Sequence, residues 1–448
     1  MRRYPKYKYS GIEYIADIPQ HWEAWKLKFL VKDKLKYGAN EAAELEDRSL
    51  PRYIRITDFD NNGRLKDDTF KSLPYDIAKE YLLKNGDILF ARSGATVGKT
   101  LLFDKYDGVA CFAGYLIKAC CNEQKMNHKF LDYYTSSSSY ENWKDMIFIQ
   151  STIQNIGADK YNVLLVPKPT LPEQQSIIRF LDYKTGQIDI FITNRQKQIE
   201  LLKEQKAATI YKAVTKGINP YVKMKPSGIE WIGEIPEHWE LKTLRRITKE
   251  HRQGYYIDDD YIDDGVKLVR ITDLHSNGSI DYTEMPFVKI SKESEKIYHI
   301  QEGDFLFPRT GTIGSLGFVT KPKRAVFASY LIRFRFKTNE VVNEFLYFYF
   351  ISSAFLEGLF SDLHGGVNQN IHAENIKNQF IAIPKTIIEQ QAILDYIKTE
   401  TETTDTLISK YQKQIGLMQE YRTSLISQAV TGKIDVRDWQ PKKKGEAL

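Results

Sequence analysis

The sequence has few of the features that mark secreted, metal-binding or membrane-spanning proteins. Its 448 residues include only three cysteines, Cys111, Cys120 and Cys121, whose spacing forms no paired C-x-x-C motif. This scarcity predicts a reduced, cytoplasmic setting. The most apolar stretch, at 345–360, is too short and too interrupted by Ser and Glu to cross a bilayer. The sequence therefore predicts a soluble protein with no membrane partner.

Motifs for catalysis and cofactor binding are equally scarce. The eight histidines form no H-E-x-x-H pattern. The segment GATVGKT at 94–100 resembles a phosphate-binding loop, but Ser93 stands where the first glycine of that motif is required, and we interpret it as a tight turn between strands. The segment INPYV at 218–222 lacks one proline of the methyltransferase motif N-P-P-Y. We therefore expect no catalytic residue, no metal site and no cofactor bound by this chain.

Composition bounds the remaining possibilities. Hydrophobic residues make up 42% of the chain and charged residues 27%, which is enough apolar material to build ordinary cores. A length of 448 residues exceeds what one core usually supports, so two or more domains are expected. The net charge of +6 permits an anionic partner without requiring one.

The most informative feature of the sequence is an internal repeat. Residues 171–215 recur without a gap at 387–431, and the two copies share EQQ near their start and AVT at their end. Each copy opens with a T-x-x-E capping box, Thr170 to Glu173 and Thr386 to Glu389, which predicts a helix start. A half-apolar stripe flanked by charged faces then predicts a long, partly solvated helix that needs a partner. The obvious partner of each helix is the other copy.

The repeat extends into the regions that precede these helices. SGIEYIADIPQHWE at 10–23 reappears as SGIEWIGEIPEHWE at 227–240 with ten of fourteen residues identical. RITD occurs at 55–58 and 270–273, GDILFARSG at 86–94 corresponds to GDFLFPRTG at 303–311, and FAGYLI at 112–117 corresponds to FASYLI at 327–332. QNI occurs at 154–156 and 369–371. Two repeats of this length indicate a duplicated domain and not a solenoid.

Each globular region carries both strand and helix signals. We expect strands at YIRITDF and LVRITDL, at GDILFAR and GDFLFPR, and longer strands at FAGYLIKAC and FASYLIRFRF. Helical spacing follows at 126–146 and 341–360. The fold class predicted is mixed α/β (α+β). Joining the C-terminus to the N-terminus would reproduce the central junction at 216–226, so we expect a pseudo-twofold molecule with its termini close together and its two long helices antiparallel.

The ordered set of motifs, present twice, closely resembles the specificity subunits of type I restriction-modification systems. The resemblance covers essentially the whole chain. It implies target-recognition domains at 1–170 and 217–385, helical spacer arms at 171–216 and 386–432, and a tail at 433–448. It further implies a non-catalytic bacterial or archaeal protein that directs two methyltransferase subunits and two restriction subunits to a bipartite sequence in double-stranded DNA. S-adenosylmethionine, ATP and Mg²⁺ are then expected on those partner subunits.

Candidate DNA-binding residues come from the repeated segments of the globular regions. Arg92 and Arg309 each follow a strand and precede a turn, where a guanidinium could reach a phosphate or a guanine, or could instead fix the turn. Arg55 and Arg270 carry the same two interpretations. Side-chain amides at the QNI segments are good readers of adenine, although capping of the following segment is the more ordinary role. The full candidate set is Arg55, Arg92, Lys99, Gln154, Asn155, Arg270, Arg309, Gln369 and Asn370.

The outward charges of the arms form a second candidate surface. They are most simply a solvated face, but the resemblance implies that methyltransferase subunits dock there. The candidate partner-binding residues are Lys197, Glu200, Lys203, Glu204, Lys413 and Glu420. By contrast, Trp22 and Trp239 of the repeated HWE are interpreted as core anchors where a globular region meets an arm.

Two other functions remain to be weighed. A duplicated coiled-coil adapter that binds only protein would explain the arms, but not two globular regions with a shared frame and different interiors. A self-contained DNA-modifying enzyme would require a cofactor loop or an acid/base cluster, and the sequence offers neither.

Overall fold

The computed structural model describes residues 2–59, 65–94, 96–149, 155–257, 260–275, 277–310, 314–362 and 370–441. The chain divides into two compact units: unit 1 is Met1–Arg195 with Gln412–Leu448, and unit 2 is Gln196–Tyr411. Each unit holds one globular region and part of both long helices. The domain boundaries expected from the sequence stay a prediction.

Unit 1 contains ten strands and four helices among its described residues, and the first long helix begins in it. The strands are β1 (Tyr7–Tyr9), β2 (Asp17–Pro19), β3 (Glu23–Lys26), β4 (Lys36–Tyr37), β5 (Arg52–Ile54), β6 (Asp87–Ala91), β7 (Thr100–Phe103), β8 (Ala110–Phe112), β9 (Leu116–Cys120) and β10 (Leu165–Lys168). The helices are α1 (Tyr75–Ala78), α2 (His128–Thr135), α3 (Ser138–Ile149), α4 (Ala158–Val163) and the long helix α5 (Leu171–Lys216).

The described residues of unit 2 repeat this order. The strands are β11 (Met224–Pro226), β12 (Glu234–Pro236), β13 (Glu240–Thr243), β14 (Thr248–Gln253), β15 (Val266–Val269), β16 (Phe287–Val288), β17 (Phe305–Pro308), β18 (Gly317–Phe318), β19 (Ala325–Phe327), β20 (Leu331–Phe336) and β21 (Phe380–Ile383). The helices are α6 (Leu244–Ile247), α7 (Lys292–Tyr298), α8 (Asn343–Phe350), α9 (Ser353–Asp362), α10 (Ala373–Asn378) and the second long helix α11 (Ile387–Val430).

The main sheets of the two units correspond strand for strand, whereas the second sheet has two strands in unit 1 and three, β16-β15-β19, in unit 2. The main sheet has the order β4-β9-β6-β7 in unit 1 and β14-β20-β17-β18 in unit 2, and all of its neighbours are antiparallel. A second sheet contains one parallel pair, β5 with β8 in unit 1 and β15 with β19 in unit 2. The mixed α/β class and the duplicated domain are therefore confirmed. Residues 94–100 connect the antiparallel strands β6 and β7, as the turn interpretation predicts.

Two strand predictions were wrong in the same way in both units. The RITD segment lies after its strand in a 3-10 turn, because the aspartate accepts the backbone N–H of the arginine three residues earlier, at 2.7 Å for both Asp58 and Asp273. The longer strands expected at FAGYLIKAC and FASYLIRFRF are each divided by a turn. Only the first residue of each segment, Phe112 or Phe327, belongs to a strand of the second sheet, β8 or β19, and the part after the turn forms β9 or β20 of the main sheet.

The tryptophan of HWE anchors the core of each unit, as predicted. Trp22 and Trp239 are both fully buried, and each donates its indole N–H to the glutamate of the EQQ segment. A glycine with positive φ then follows the long helix and packs on the tryptophan ring. Gly217 does so on Trp239, whereas Gly432 does so on Trp22. The two contacts are equivalent, although the partners are close in sequence in unit 2 and far apart in unit 1.

The central glutamine of EQQ explains why this tripeptide recurs. Gln174 is fully buried; its Nε2 donates to the carbonyls of Lys125 and Pro169, and its Oε1 accepts from the backbone of Asn127. Gln390 makes the corresponding bonds to Glu340, Pro384 and Val342. The glutamine thus joins the first turn of the long helix to the segment before α2 in unit 1 and before α8 in unit 2. The long helices begin at Leu171 and Ile387, directly after the threonines of the predicted capping boxes.

Within each unit the two long helices run in opposite directions. In unit 1, Asp189 pairs with Arg422 at 3.2 Å, and further along the chain the ring of Trp439 meets the earlier residues Phe180, edge to face, and Tyr183, at a tilted angle. In unit 2, Lys206 pairs with Asp405 at 2.6 Å, and Lys212, later in α5, lines the same cavity as Tyr396, which is earlier in α11. In both units a residue later in α5 has a partner earlier in the second segment, which is the pattern of antiparallel helices.

The described segment at the start of the chain meets the segment that follows α11 in unit 1, as the cyclic arrangement of the sequence predicts. The backbone N–H of Asp435 donates to the carbonyl of Arg2 at 2.9 Å, and the Tyr7 hydroxyl donates to the carbonyl of Gly432 at 3.1 Å. The Arg437 guanidinium lies over the Tyr4 ring at 4.8 Å. Among the helices in the described ranges, none combines the length and the apolar character needed to cross a membrane.

Candidate nucleic-acid interface

Arg92 and Arg309 occupy the same place in the two main sheets. Each follows the last residue of a central strand, β6 in unit 1 and β17 in unit 2. The backbone N–H of Arg92 donates to the carbonyl of Tyr115 at 3.0 Å, and that of Arg309 donates to Tyr330 at 2.8 Å. Both arginine side chains are half-buried. The sheet therefore fixes the backbone of each arginine and leaves part of its side chain accessible at the strand end.

The structure brings the asparagines of the QNI segments to these arginines. The carbonyl of Arg92 accepts from the backbone of Ile156 at 2.8 Å, and the carbonyl of Arg309 accepts from Ile371 at 2.7 Å. Asn155 and Asn370, which precede those isoleucines, are both exposed. Gln154 and Gln369 lie outside the described residues. Two segments that the sequence offered separately thus form one surface in each unit.

The surroundings of the two arginines differ. In unit 1 the Arg92 guanidinium lies over the Tyr37 ring at 4.9 Å, and its buried Nε meets no hydrogen-bond acceptor among the described residues. Tyr37 is held by the backbone N–H of Ala158, which donates to its hydroxyl at 2.9 Å. Tyr37 precedes Gly38, which corresponds to Gly254 of unit 2. The residue before Gly254 is Gln253. Lys99 is exposed beyond the turn that follows Arg92.

Arg55 and Arg270 lie in a different setting. The Arg55 guanidinium donates to both carboxylate oxygens of Asp58, at 2.8 and 3.2 Å, and to a backbone carbonyl at 2.7 Å. Arg270 binds Asp273 with the same distances, and these bonds raise the pKa of the Arg270 guanidinium. The turn-fixing interpretation therefore describes their observed contacts, while their role in DNA binding stays a prediction.

One exposed residue in each unit was missed by the sequence analysis. Tyr115 is 63% exposed and Tyr330 is 60% exposed, directly beside Arg92 and Arg309. Both belong to the repeated FA-x-YLI segment, which the sequence analysis assigned to a strand. The signal that could have found them is the same large aromatic residue in both copies at a position where the chain turns.

The six candidate partner-binding residues are all exposed on the long helices. Lys197, Glu200, Lys203 and Glu204 lie on α5 in unit 2, and Lys413 and Glu420 lie on α11 in unit 1. Glu200 and Lys203 form an ion pair at 2.9 Å within one helical turn. Large apolar side chains also remain exposed on these helices, with Leu201 63% and Leu417 54% exposed. The helices thus present mixed charged and apolar surfaces.

Residues that could hold a metal do not cluster in the part of the chain that the structure describes. The segment that resembles a phosphate-binding loop packs against other residues of unit 1. Tyr140 donates its hydroxyl to the carbonyl of Gly98 at 2.8 Å, and a Cβ placed on Gly98 would meet the side chain of Lys144. This turn contributes to the core of unit 1.

Known proteins resemble this chain over most of its length. The model of the type I restriction modification DNA specificity domain matches it twice, at residues 19–201 and 236–416. The MjaVIII specificity subunit of a type I restriction enzyme from Methanocaldococcus jannaschii is 24% identical, and the match covers 94% of this chain and 95% of that protein. The EcoKI specificity subunit from Escherichia coli is 23% identical over 87% of this chain and 83% of its own.

A solved structure shares the fold. It is described as the structural basis of complex assembly and conformational transition of the type I R-M system, and it superposes with a TM-score of 0.69 at 14% sequence identity. The match covers 93% of this chain and 99% of that one. The family model alone accounts for well over half of the residues, once in each half of the chain. The chain belongs to the family of type I restriction-modification specificity subunits.

Proposed function

We propose that this chain reads a bipartite DNA sequence, with one half-site recognised by the globular region of each unit. The observation that carries the proposal is the repeated surface at the end of β6 and β17. An arginine and an asparagine meet at the same place in both units, yet the residues around them differ, with Tyr37 where the other unit has Gln253. A shared frame with unlike surroundings is what recognition of two unlike half-sites requires.

The long helices are proposed to dock two methyltransferase and two restriction subunits. The exposed charges on α5 and α11, together with the exposed Leu201 and Leu417, supply the mixed polar and apolar surface that is typical of protein interfaces. The chain itself is proposed to be non-catalytic, so S-adenosylmethionine, ATP and Mg²⁺ would act on the partner subunits in the cytoplasm of a bacterium or archaeon. The names of the relatives, which are specificity subunits of type I restriction enzymes, support this assignment.

The decisive experiment combines co-expression with exchange of one recognition region. The chain is co-expressed with its methyltransferase subunit, and methylated adenines are mapped by single-molecule sequencing. Residues 30–165 are then replaced by the equivalent segment of a relative. We expect one half of the methylated motif to change and the other half to stay. The matched control replaces residues 247–380, the equivalent segment of unit 2, and should change only the other half.

Two outcomes would contradict the proposal. If both halves of the motif changed with either exchange, the two units would not read separate half-sites. If the chain co-purified with its partner but supported no sequence-specific methylation, it would be a protein-binding adapter. Methyl transfer by the purified chain alone, without a partner subunit, would show that it is an enzyme in its own right.

A further inference from the structure

We propose that Tyr115 and Tyr330 bind the sugar-phosphate backbone of the DNA, together with the neighbouring arginine and asparagine. The two groups, Arg92–Tyr115–Asn155 and Arg309–Tyr330–Asn370, are termed the shared triads. This inference rests on the proposed function and assigns one part of it: the shared triads hold what the two half-sites have in common, and other residues distinguish the bases.

The sheet places the arginine and the tyrosine on one face. Ala91 pairs with Leu116 at the end of β6, and the next backbone bond sets Arg92 opposite Tyr115. Directly opposite residues of antiparallel strands project from the same face, with their Cβ atoms about 5 Å apart. In unit 2 the last registered pair is Pro308 with Leu331, and Arg309 is opposite Tyr330 in the same manner.

The asparagine completes each triad from the other side of the arginine. Asn155 forms a backbone bridge with Ser93, the residue after Arg92. The exposed Asn155 therefore lies close to the arginine. Asn370 is placed by the bond between the next residue, Ile371, and the carbonyl of Arg309. Each triad therefore projects from three separate segments that main-chain hydrogen bonds hold together.

The chemistry of the shared triads suits an anionic acceptor. A guanidinium, a phenol hydroxyl and a side-chain amide all donate hydrogen bonds, and such donors make most of the contacts to DNA phosphates. The tyrosine rings contribute little to the cores, because more than half of each side chain is exposed. Retaining an exposed aromatic residue at equivalent positions of both units points to a ligand that both units contact.

Equivalence between the units separates backbone contact from base reading. Residues that are identical in both units cannot by themselves distinguish two different half-sites. The phosphodiester backbone is the same in every half-site, whereas the base edges are not. The residues that differ around the triads, such as Tyr37 against Gln253, are the ones free to discriminate.

The test measures binding of the chain, co-purified with its methyltransferase subunit, to two fluorescent duplexes between 50 and 200 mM KCl. One duplex carries the mapped motif and the other a scrambled sequence of the same composition. We expect Tyr115→Phe and Tyr330→Phe to weaken binding of both duplexes by the same factor, about five- to tenfold, because each loses a hydrogen bond to a charged acceptor. Arg92→Ala should also lower the slope of log affinity against log salt by about 0.9.

The controls keep the outcome clear. Tyr9→Phe removes a hydroxyl from a residue that is 64% exposed in β1 of the same unit, and it should change neither affinity. Loss of affinity for the motif duplex alone would overturn the inference, since it would show that the tyrosines read bases. Unchanged affinity for both duplexes would overturn it as well. A wild-type complex with no preference for the motif would instead refute the proposed function itself.

Discussion

Both units contain a buried aspartate beside a central strand, but the cation that pairs with it differs between the units. Asp87 is the first residue of β6 and Asp304 directly precedes β17, and each accepts a backbone N–H from three residues earlier at 2.9 Å. In unit 1 the nearest cation is Lys118, 3.5 Å from Asp87. In unit 2 the guanidinium of Arg335 binds Asp304 with two bonds, at 2.6 and 3.1 Å.

The difference arises from one position on the neighbouring strand. Arg335 of β20 corresponds to Cys120 of β9, so unit 1 has a thiol where unit 2 has a guanidinium. Burial and the adjacent Asp87 raise the pKa of the Cys120 thiol, which therefore stays neutral near pH 7. The aspartate that caps the turn is kept in both units, whereas the partner of its charge is free to vary. A duplicated fold thus preserves backbone capping more strictly than ion pairing.

Removing the aspartate should have the largest effect, and the effect should differ between units. Asp304→Ala removes the two bonds that Arg335 makes to a buried carboxylate and leaves Glu250 as the remaining anion of Arg333 and Arg335, so we expect unit 2 to lose about 3 kcal/mol. Asp87→Ala should cost unit 1 about 1–2 kcal/mol, because Lys118 keeps its bond to the carbonyl of Leu82. Hydrogen exchange of the amides of β17 and β6 reports each loss. Equal losses would show that the paired arginines do not raise the dependence on the aspartate.

Adding a methyl group to the glycine that lies closest to a neighbouring backbone carbonyl should destabilise both units alike. A Cβ on Gly38 would lie 2.2 Å from the carbonyl oxygen of Phe112, and a Cβ on Gly254 would lie 2.1 Å from that of Ala328. We expect Gly38→Ala and Gly254→Ala each to destabilise the surrounding unit by about 3 kcal/mol. Gly186→Ala in α5 is the matched control, since its Cβ would meet nothing within 4 Å and should stabilise the helix by up to about 1 kcal/mol. A marked difference between the two glycines, measured by denaturant unfolding, would break the equivalence of the units.

Replacing the buried glutamine of each unit should have a smaller effect on stability, again equal in the two units. Gln174→Ala and Gln390→Ala should each destabilise by about 2 kcal/mol, because two carbonyls and one N–H lose their partner in a buried site. The adjacent Gln175 is exposed, and Gln175→Ala should change the free energy of unfolding by less than about 0.5 kcal/mol. If all three substitutions had the same small effect, the glutamine would not be what fixes the helix starts.

The sequence predicted the features that depend on local patterns. Helix starts at Thr170 and Thr386 followed from capping boxes, and the core position of Trp22 and Trp239 followed from the repeated HWE. The division of FAGYLIKAC into β8 and β9 could not be predicted, because the apolar residues continue through the turn. The meeting of Arg92 with Asn155 depends on pairing between distant segments, which a single sequence does not specify. The exchange of Cys120 for Arg335 has meaning only once the strands are aligned beside the aspartate.

The smallest expected effect is the pH dependence that one buried carboxyl, Asp132, contributes to unit 1. Asp132 lies in α2, where burial raises the pKa of its carboxyl to about 6 against the favourable charges of Arg422, His128 and Lys129. The corresponding residue of α8 in unit 2 is Tyr347.

The sign of this effect follows from the direction of the shift. A carboxyl whose pKa is higher in the folded protein than in the unfolded chain binds more protons when folded, so stability falls as the pH rises between about 4 and 6. Asp132→Asn removes this loss, and we expect it to stabilise unit 1 at pH 7.5 by up to about 2 kcal/mol relative to pH 4. Hydrogen exchange of α2 amides at the two pH values, compared between the wild-type chain and Asp132→Asn, measures the change. An α2 whose response to pH is the same in both chains would mean that the carboxyl is ionised in the folded protein at little cost.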